Sequence, residues 1–497
     1  MNLAGRGAAV LLGSSTMGSR KAGRPRAGEE HVVTIESLAY GGKGIARLGD
    51  AENPGMAVFI PRTAPGDRAR IKLDRVRRRH AEGTLLEIET TGSARVDPSC
   101  PHYAEGCGGC SWQHLDYATQ LAAKEQAVHD SLRRIGEFAD VPIAPIVAAD
   151  EPWFYRNKME FSFHARDGLG LHVGGDWRRV VPITECRLES ELAMQVVAFA
   201  RQFAADHDLA SWDPIANAGF LREIMIRHGR ESGETMVGLV TERGGFPGAQ
   251  EFAAGIAALA PEIVSVVRAI RGSFDEGSPI ETIEVLHGRE TIVERVGGLA
   301  FNIGLQTFFQ TSTAQAARML EIVREEVAAG FSTAPEAVPS RVLDVFCGVG
   351  FFTLGVADLA DEAIGVEIVE PSIVAARENA LTNGIDNCHF YAGDARRTLP
   401  SVLEQHGAPG VAVIDPPRSG AGGKVMRRLA RSGPYRLVYV SCNPTTLARD
   451  LKEMHPFGYR LVSVRPIDLF PQTYHIETIV VMDRVAEPDP DVLLRRG

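Results

Sequence analysis

A cysteine stands where an apolar run meets a turn in Arg436-Leu-Val-Tyr-Val-Ser-Cys442-Asn-Pro444. The run reads as a buried strand, and Pro444 ends it, which leaves the thiol at the C-terminal edge of a sheet. Only the thiolate is a nucleophile, and a free cysteine titrates near about 8.5, so Cys442 needs a cation or a dipole beside it. Upstream, Asp344-Val-Phe346-Cys-Gly348-Val-Gly350 has the acid-plus-glycine form of a nucleotide-type cofactor loop. A nucleophile and a cofactor pocket on one sheet predict covalent group transfer.

The spacing around that loop narrows the cofactor. A third glycine of the dinucleotide fingerprint falls at position 353, which is Thr353, and this speaks against a nicotinamide. Glu367 ends the next apolar run, 23 residues after Asp344, where a carboxylate can accept hydrogen bonds from a ribose diol. Asp394 ends the third, placed for an adenine edge. Acids at three strand ends suit a cation better than a pyrophosphate, which favours helix N-termini and basic groups. S-adenosylmethionine, a sulfonium without phosphate, is the expected cofactor. Ordinary strand-end acids are the bland alternative. Ile414-Asp415-Pro-Pro-Arg418-Ser-Gly420 ends the sheet strand before the cysteine's own and strengthens the reading of Cys442 as more than a small buried side chain.

Cys100, Cys107 and Cys110, with Cys186 far downstream, supply four further thiols. On ligand count they suit tetrahedral zinc and a [4Fe–4S] cluster alike. Seven cysteines without a secretory signal argue against a disulfide framework, and Cys347 and Cys388 read as structural. Tyr155-Arg156-Asn-Lys158-Met-Glu-Phe161 pairs aromatics with cations, either as a stacking surface for a splayed base or as a half-buried strand.

The elements that must position these residues follow from periodicity. From residue 342 onward the pattern alternates: strands over 342–346, 363–367, 388–391, 411–414 and 437–440, and helices over 351–359 and 371–381. This predicts a doubly wound, Rossmann-like α/β sheet, closed by two antiparallel strands over 460–464 and 477–482. Residues 31–89 carry short β runs between glycine turns, the pattern of a small OB-like β-barrel. A helix is expected from Tyr117 to Ile135, and a linker over 331–340.

The domains expected are a disordered basic tail (1–28), an OB-like RNA-binding unit (29–95), an α/β central domain carrying the four-cysteine site (96–300) and a cofactor-binding domain (301–497). The Gly/Ser/Arg-rich tail is equally compatible with an over-extended start site. Net charge is −10, against indiscriminate nucleic-acid binding, yet eight Lys/Arg lie between Arg62 and Arg79 against Asp67 and Asp74. No apolar run approaches the roughly 20 residues of a membrane helix, so a cytoplasmic protein with no membrane partner is expected.

Gly41-Gly-Lys-Gly-Ile-Ala-Arg47, Val58-Phe-Ile-Pro61 and Pro65-Gly-Asp67 together resemble the TRAM domain, an RNA-binding module. Asp415-Pro-Pro-Arg418 with Ser441-Cys-Asn-Pro444 resembles the RNA uracil-C5 methyltransferase family. The likeness continues through Phe308-Phe-Gln310-Thr, Phe346-Cys-Gly-Val-Gly350, Gly365-Val-Glu367 and His475-Ile-Glu477-Thr, in order over 300–485. Phe351 departs from it, where relatives often carry Asn beside the cofactor.

The resemblance implies Cys442 as nucleophile and Glu477 as base. It implies Gln310, Phe346, Gly348, Gly350, Glu367, Asp394 and Asp415 around cofactor and uracil, and a [4Fe–4S] cluster on the four cysteines in preference to zinc. The implied partner is structured RNA, with 23S ribosomal RNA favoured and tRNA the alternative; no obligate protein partner is implied. An RNA-binding Fe–S protein with an inactive methyltransferase domain is the rival of another kind. A TRAM-bearing radical enzyme would need a Cys-x3-Cys-x2-Cys triplet, which is absent, and cytosine-C5 transfer fits the two motifs less well.

Overall fold

The protein is described here as a computed structural model covering residues 24–49, 55–272, 280–335 and 338–487. Most of the expected basic tail, residues 1–23, lies outside the described residues. Its last part is not loose: the Gly28 N–H donates to the Leu73 carbonyl and extends the first sheet.

That first sheet has six strands, in the order Glu30–Thr34, Arg68–Val76, His80–Thr90, Met56–Ile60, Gly44–Leu48 and Ser37–Leu38. Alternation from Arg68 to Asp74 in strand Arg68–Val76 puts Ala69, Ile71 and Leu73 inside, with Arg68, Arg70 and Lys72 out. The basic stripe is therefore one outer face running into the exposed turn Arg77–Arg79. Glu87 and Glu89 on the neighbouring strand pair with Arg70 and Arg68.

A seven-stranded sheet follows, in the order Thr282–Gly288, Ile263–Ile270, Glu234–Thr241, Leu221–Gly229, Lys158–His164, Gly168–Val173 and Asp176–Pro182. Helices Glu191–Asp206 and Ala249–Ala257 bury their apolar stripes on it. The hairpin Ile292–Val296/Leu299–Ile303 spans the expected boundary at residue 300, and its apolar side joins the next core.

The third sheet runs Cys388–Ala392, Glu362–Glu367, Arg341–Val345, Val411–Ile414, Arg436–Ser441, Glu477–Arg484, Tyr459–Ile467. Its first five strands are parallel, and Glu477–Arg484 is antiparallel to both neighbours. The order reverses about Arg341–Val345, so the crevice for a ligand opens at the carboxyl ends of this strand and Val411–Ile414. Apolar cores lie on both faces, one containing helix Thr313–Thr333 and the other helix Pro444–Lys452. Helix Tyr117–Arg134, expected with the central unit, packs Val128 and Leu132 into this second core. The chain after it lines the outer strand, with bridges Ile143–Val464 and Val147–Ile467. The expected linker begins inside the helix Thr313–Thr333.

Candidate active site

Pairing register creates the central feature. Ser441 lies opposite Thr478 in the antiparallel pair, so Cys442 and Glu477 sit at adjoining ends of neighbouring strands. Asp415 ends the strand on the other side of Arg436–Ser441, and Asp344 ends the one beyond. Four of the sequence-derived residues thus meet along one sheet edge.

The loop that carries Cys442 is tightly specified. Asn443 caps the helix Pro444–Lys452, its Oδ1 accepting from the Thr445 N–H at 3.1 Å. Its Nδ2 donates to the Arg418 carbonyl at 3.0 Å, and the Thr446 hydroxyl donates to the same oxygen at 3.2 Å. Asn443 therefore ties the Cys442 turn to the Asp415-Pro-Pro-Arg418 loop.

Electrostatics at this edge are strongly coupled. Burial, then Glu477 and Asp415, pushes the Cys442 thiol up to about 12, while Arg418 pulls it down. Glu477, 5% exposed, is held well above the carboxylate range by burial and Asp415, again opposed by Arg418. Asp415 rises to about 7 through burial and its neighbour Asp344. Three acids and a thiol share one desolvated edge, so they shed protons reluctantly, and Arg418 is the cation that favours release from Cys442 and Glu477.

The glycine loop forms the other half. Phe346 adopts φ 71°, left-handed backbone that a bulky residue rarely takes, directly after the strand. Gly350, at φ 85°, caps the short helix Phe351–Gly355. Asp344 is fully buried. Thr353 Oγ1 donates to its Oδ2 at 2.6 Å, while Oδ1 has no protein partner among the described residues. Burial lifts this carboxyl to about 7. Glu367 is fixed by the Gly348 N–H on Oε2 at 3.3 Å and the Val369 N–H on Oε1 at 2.9 Å.

Gln310 is buried, its carbonyl accepting from Asn157 Nδ2 at 2.9 Å. Phe308, two residues before it, is 71% exposed. Asp394 is already engaged: it caps its own helix and pairs with Arg396, which holds it down at about 2. Phe351 packs against Phe301, Phe309 and Phe352 in tilted and edge-on contacts instead of reaching out as a polar contact.

An orphaned acceptor in a cradle of acids fits S-adenosylmethionine: Asp344 Oδ1 and Asp415 would face its cationic end, and Glu367 its ribose diol.

Cys100, Cys107, Cys110 and Cys186 line a single pocket with Leu171, Ile183 and Leu188. Burial raises Cys107, and it lifts Cys110 and Cys186 to about 12. Among the described residues, no three such side chains converge as the ligands of one metal ion. Cys347 is buried beneath the glycine loop, and Cys388 Sγ lies 4.0 Å from the Thr353 carbonyl. Tyr155 is not a free stacking platform, since its hydroxyl donates to the Pro471 carbonyl at 3.1 Å and Phe161 is core.

Sequence reasoning missed how the loop before Glu477 is held. Lys124 Nζ meets Asp468 Oδ1 at 2.5 Å with both side chains fully buried. Gln120 and Gln472 exchange hydrogen bonds at 3.0 and 2.9 Å. The Ser111 and Trp112 N–H groups both donate to the Gln472 carbonyl, and Gln472 sits at φ 67°. No local pattern marks these partners; only a lysine on the apolar side of an amphipathic helix hints at one.

The chain matches the family model for tRNA (uracil-5-)-methyltransferases over residues 295–485 and that for the TRAM domain over 26–86. An uncharacterised RNA methyltransferase of Porphyromonas gingivalis is 36% identical over 479 residues, covering 92% of this chain and 100% of that protein. One of Nitratidesulfovibrio vulgaris is 36% identical, covering 90% and 95% respectively. The Pyrococcus abyssi tRNA (uracil-54, C5)-methyltransferase, solved with S-adenosyl-L-homocysteine, superposes with a TM-score of 0.71 at 26% identity, covering 91% of this chain and 100% of that one.

Proposed function

Since the chain belongs to the S-adenosylmethionine-dependent RNA uracil-5-methyltransferase family, we propose that it methylates C5 of a specific uridine in structured RNA through a covalent adduct at Cys442. The register pair Ser441–Thr478 carries this reading, because it sets a thiol and a carboxyl side by side at the mouth of the cofactor crevice.

Uracil C5 is a weak nucleophile. Addition of the Cys442 thiolate to C6 moves electron density through the ring onto C5 and the C4 carbonyl oxygen. When bound, S-adenosylmethionine would supply an electrophilic methyl group, which C5 takes as the methyl–sulfur bond breaks and S-adenosylhomocysteine leaves. Glu477 then takes the C5 proton, the C5–C6 double bond re-forms, and the C6–S bond breaks with its electron pair returning to Cys442. Arg418 favours the anionic forms of both groups. Asp344, Phe346, Gly348, Gly350, Glu367 and Gln310 would hold the cofactor, with Asp415 between cofactor and uracil. Asp394, once shared with Arg396, would reach the adenine edge. The uridine lies in a loop or is flipped out, because C5 of a stacked base is out of reach.

Cys442→Ala abolishes methyl transfer, whereas Glu477→Gln accumulates a protein–RNA adduct visible on a denaturing gel. Full activity of the alanine variant would end the covalent reading.

The favoured substrate is 23S ribosomal RNA, supported by TRAM domain and four-cysteine pocket occurring together. The tRNA alternative is supported by the Pyrococcus abyssi enzyme. Mapping 5-methyluridine in both RNAs from a deletion strain decides between them. Such a substrate places the enzyme in the cytoplasm.

The four thiols would hold a [4Fe–4S] cluster. Three thiols close in sequence with a remote fourth suit a cluster better than the paired halves usual for zinc, and all four line one pocket. The cluster would serve folding and RNA placement. Stoichiometric zinc without iron after anaerobic purification would overturn it.

A further inference from the structure

The TRAM domain reaches the catalytic edge itself. Its turn 39–44 closes on the Ala39–Lys43 backbone bond of 2.8 Å, and it is wedged between two other parts of the molecule. The Gly42 carbonyl accepts from the Trp112 indole at 3.1 Å, and a Cβ on Gly42 would stand 2.9 Å from Tyr474 Cδ1. Beside it the Tyr40 ring meets Tyr474 edge-on, with centroids 6.1 Å apart at 89°. Tyr474 is three residues ahead of Glu477. Tyr40 is half-buried and packs against the core that contains Ile414, Leu437 and Ile476, beneath the catalytic strands.

After burial, the groups that act on the Tyr40 phenol are Cys442, Tyr474, Arg418 and Glu477, so nucleophile, base and cation are all within its electrostatic reach. No hydrogen bond from its hydroxyl is found among the described residues. Burial and its anionic neighbours push it up to about 12, so it carries its proton throughout the neutral range. A half-buried phenol beside a covalent centre, with a free O–H, is a donor without an acceptor.

We propose that Tyr40 forms a wall of the uracil pocket and donates a hydrogen bond to the carbonyl oxygen on which negative charge gathers as Cys442 adds to C6. This rests on the covalent mechanism proposed above. The TRAM domain then takes part in the chemistry as well as in grip. A donor aimed at developing negative charge acts in the transition state more than in the ground state, so its loss lowers the rate more than the affinity.

Tyr40→Phe keeps the ring contact with Tyr474 and removes only the hydroxyl. With unmodified wild-type RNA substrate, the variant is expected to slow single-turnover methylation about 10- to 100-fold. Adduct formation on 5-fluorouridine-substituted RNA slows in parallel, while RNA affinity stays within about 2-fold and the thermal midpoint is unchanged. A Tyr40→Phe enzyme with the wild-type rate would overturn the proposal, as would a defect confined to RNA affinity. Absence of any wild-type adduct would instead remove the mechanism beneath it, which separates the two failures.

Discussion

Cys442, Asp415 and Glu477 are all displaced toward their protonated forms. In the proposed mechanism the reactive forms are the thiolate and the carboxylate, so each raised value makes the active state scarcer at neutral pH. Single-turnover methylation should therefore climb with pH from about 6 to about 9, and a rate that falls over that interval contradicts this account. Arg418 opposes the rise in both Cys442 and Glu477. Arg418→Gln moves the profile to higher pH and lowers the rate at pH 7 by about tenfold for each unit of displacement. Cys442 and Asp415 were legible in the sequence, because a strand-ending cysteine and the Asp-Pro-Pro-Arg turn are local patterns, whereas Glu477 came only through the family resemblance. Tyr40 was not, since nothing near position 40 says which distant loop its turn abuts. Asp394 shows the opposite case: the position was legible, but its engagement by Arg396 two residues on was not.

The parallel strands of the third sheet lie within one residue of their expected spans, because strands buried on both faces read as continuous apolar runs. The outer strand expected over 460–464 runs on to Ile467, and the helices after residue 394 were not anticipated. The expected helix 351–359 instead breaks into Phe351–Gly355 and a 3₁₀ turn, Ala357–Leu359. Docking of Tyr117–Arg134 was invisible to periodicity, which reveals an apolar face but not what covers it. Its Lys124 grips the loop that leads to Glu477. Lys124→Met leaves the buried Asp468 carboxyl without its ion-pair partner, a change that costs about 3–5 kcal/mol. Urea unfolding should show that loss, with methylation falling alongside. The double variant Lys124→Met/Asp468→Asn should recover part of the stability, because no isolated charge remains. Equal stability of wild type and Lys124→Met would show that the pair does not hold the loop.

For the whole molecule, net charge and local charge point in different directions. The chain carries −10 overall, yet the outer face from Arg68 to Arg79 is basic and ends in three exposed arginines. Binding to RNA should weaken steeply as salt rises. Replacing Arg77, Arg78 and Arg79 with Ala should reduce the slope of log K against log salt by about 2, at roughly 0.7 per lost phosphate contact on single strands. S-adenosylmethionine binding should be unaffected, and an unchanged slope would place the RNA elsewhere. Glu477 begins the strand that fills the gap between Arg436–Ser441 and Tyr459–Ile467, and the loop before it bonds to residues 352 positions earlier. This arrangement bears on biosynthesis. A ribosome that stopped shortly after residue 442 would release a chain with the proposed nucleophile but without the proposed base, a trap for RNA if it could fold. Because the missing segment is also a member of the sheet, such a fragment cannot assemble the pocket and is disarmed by its own incompleteness.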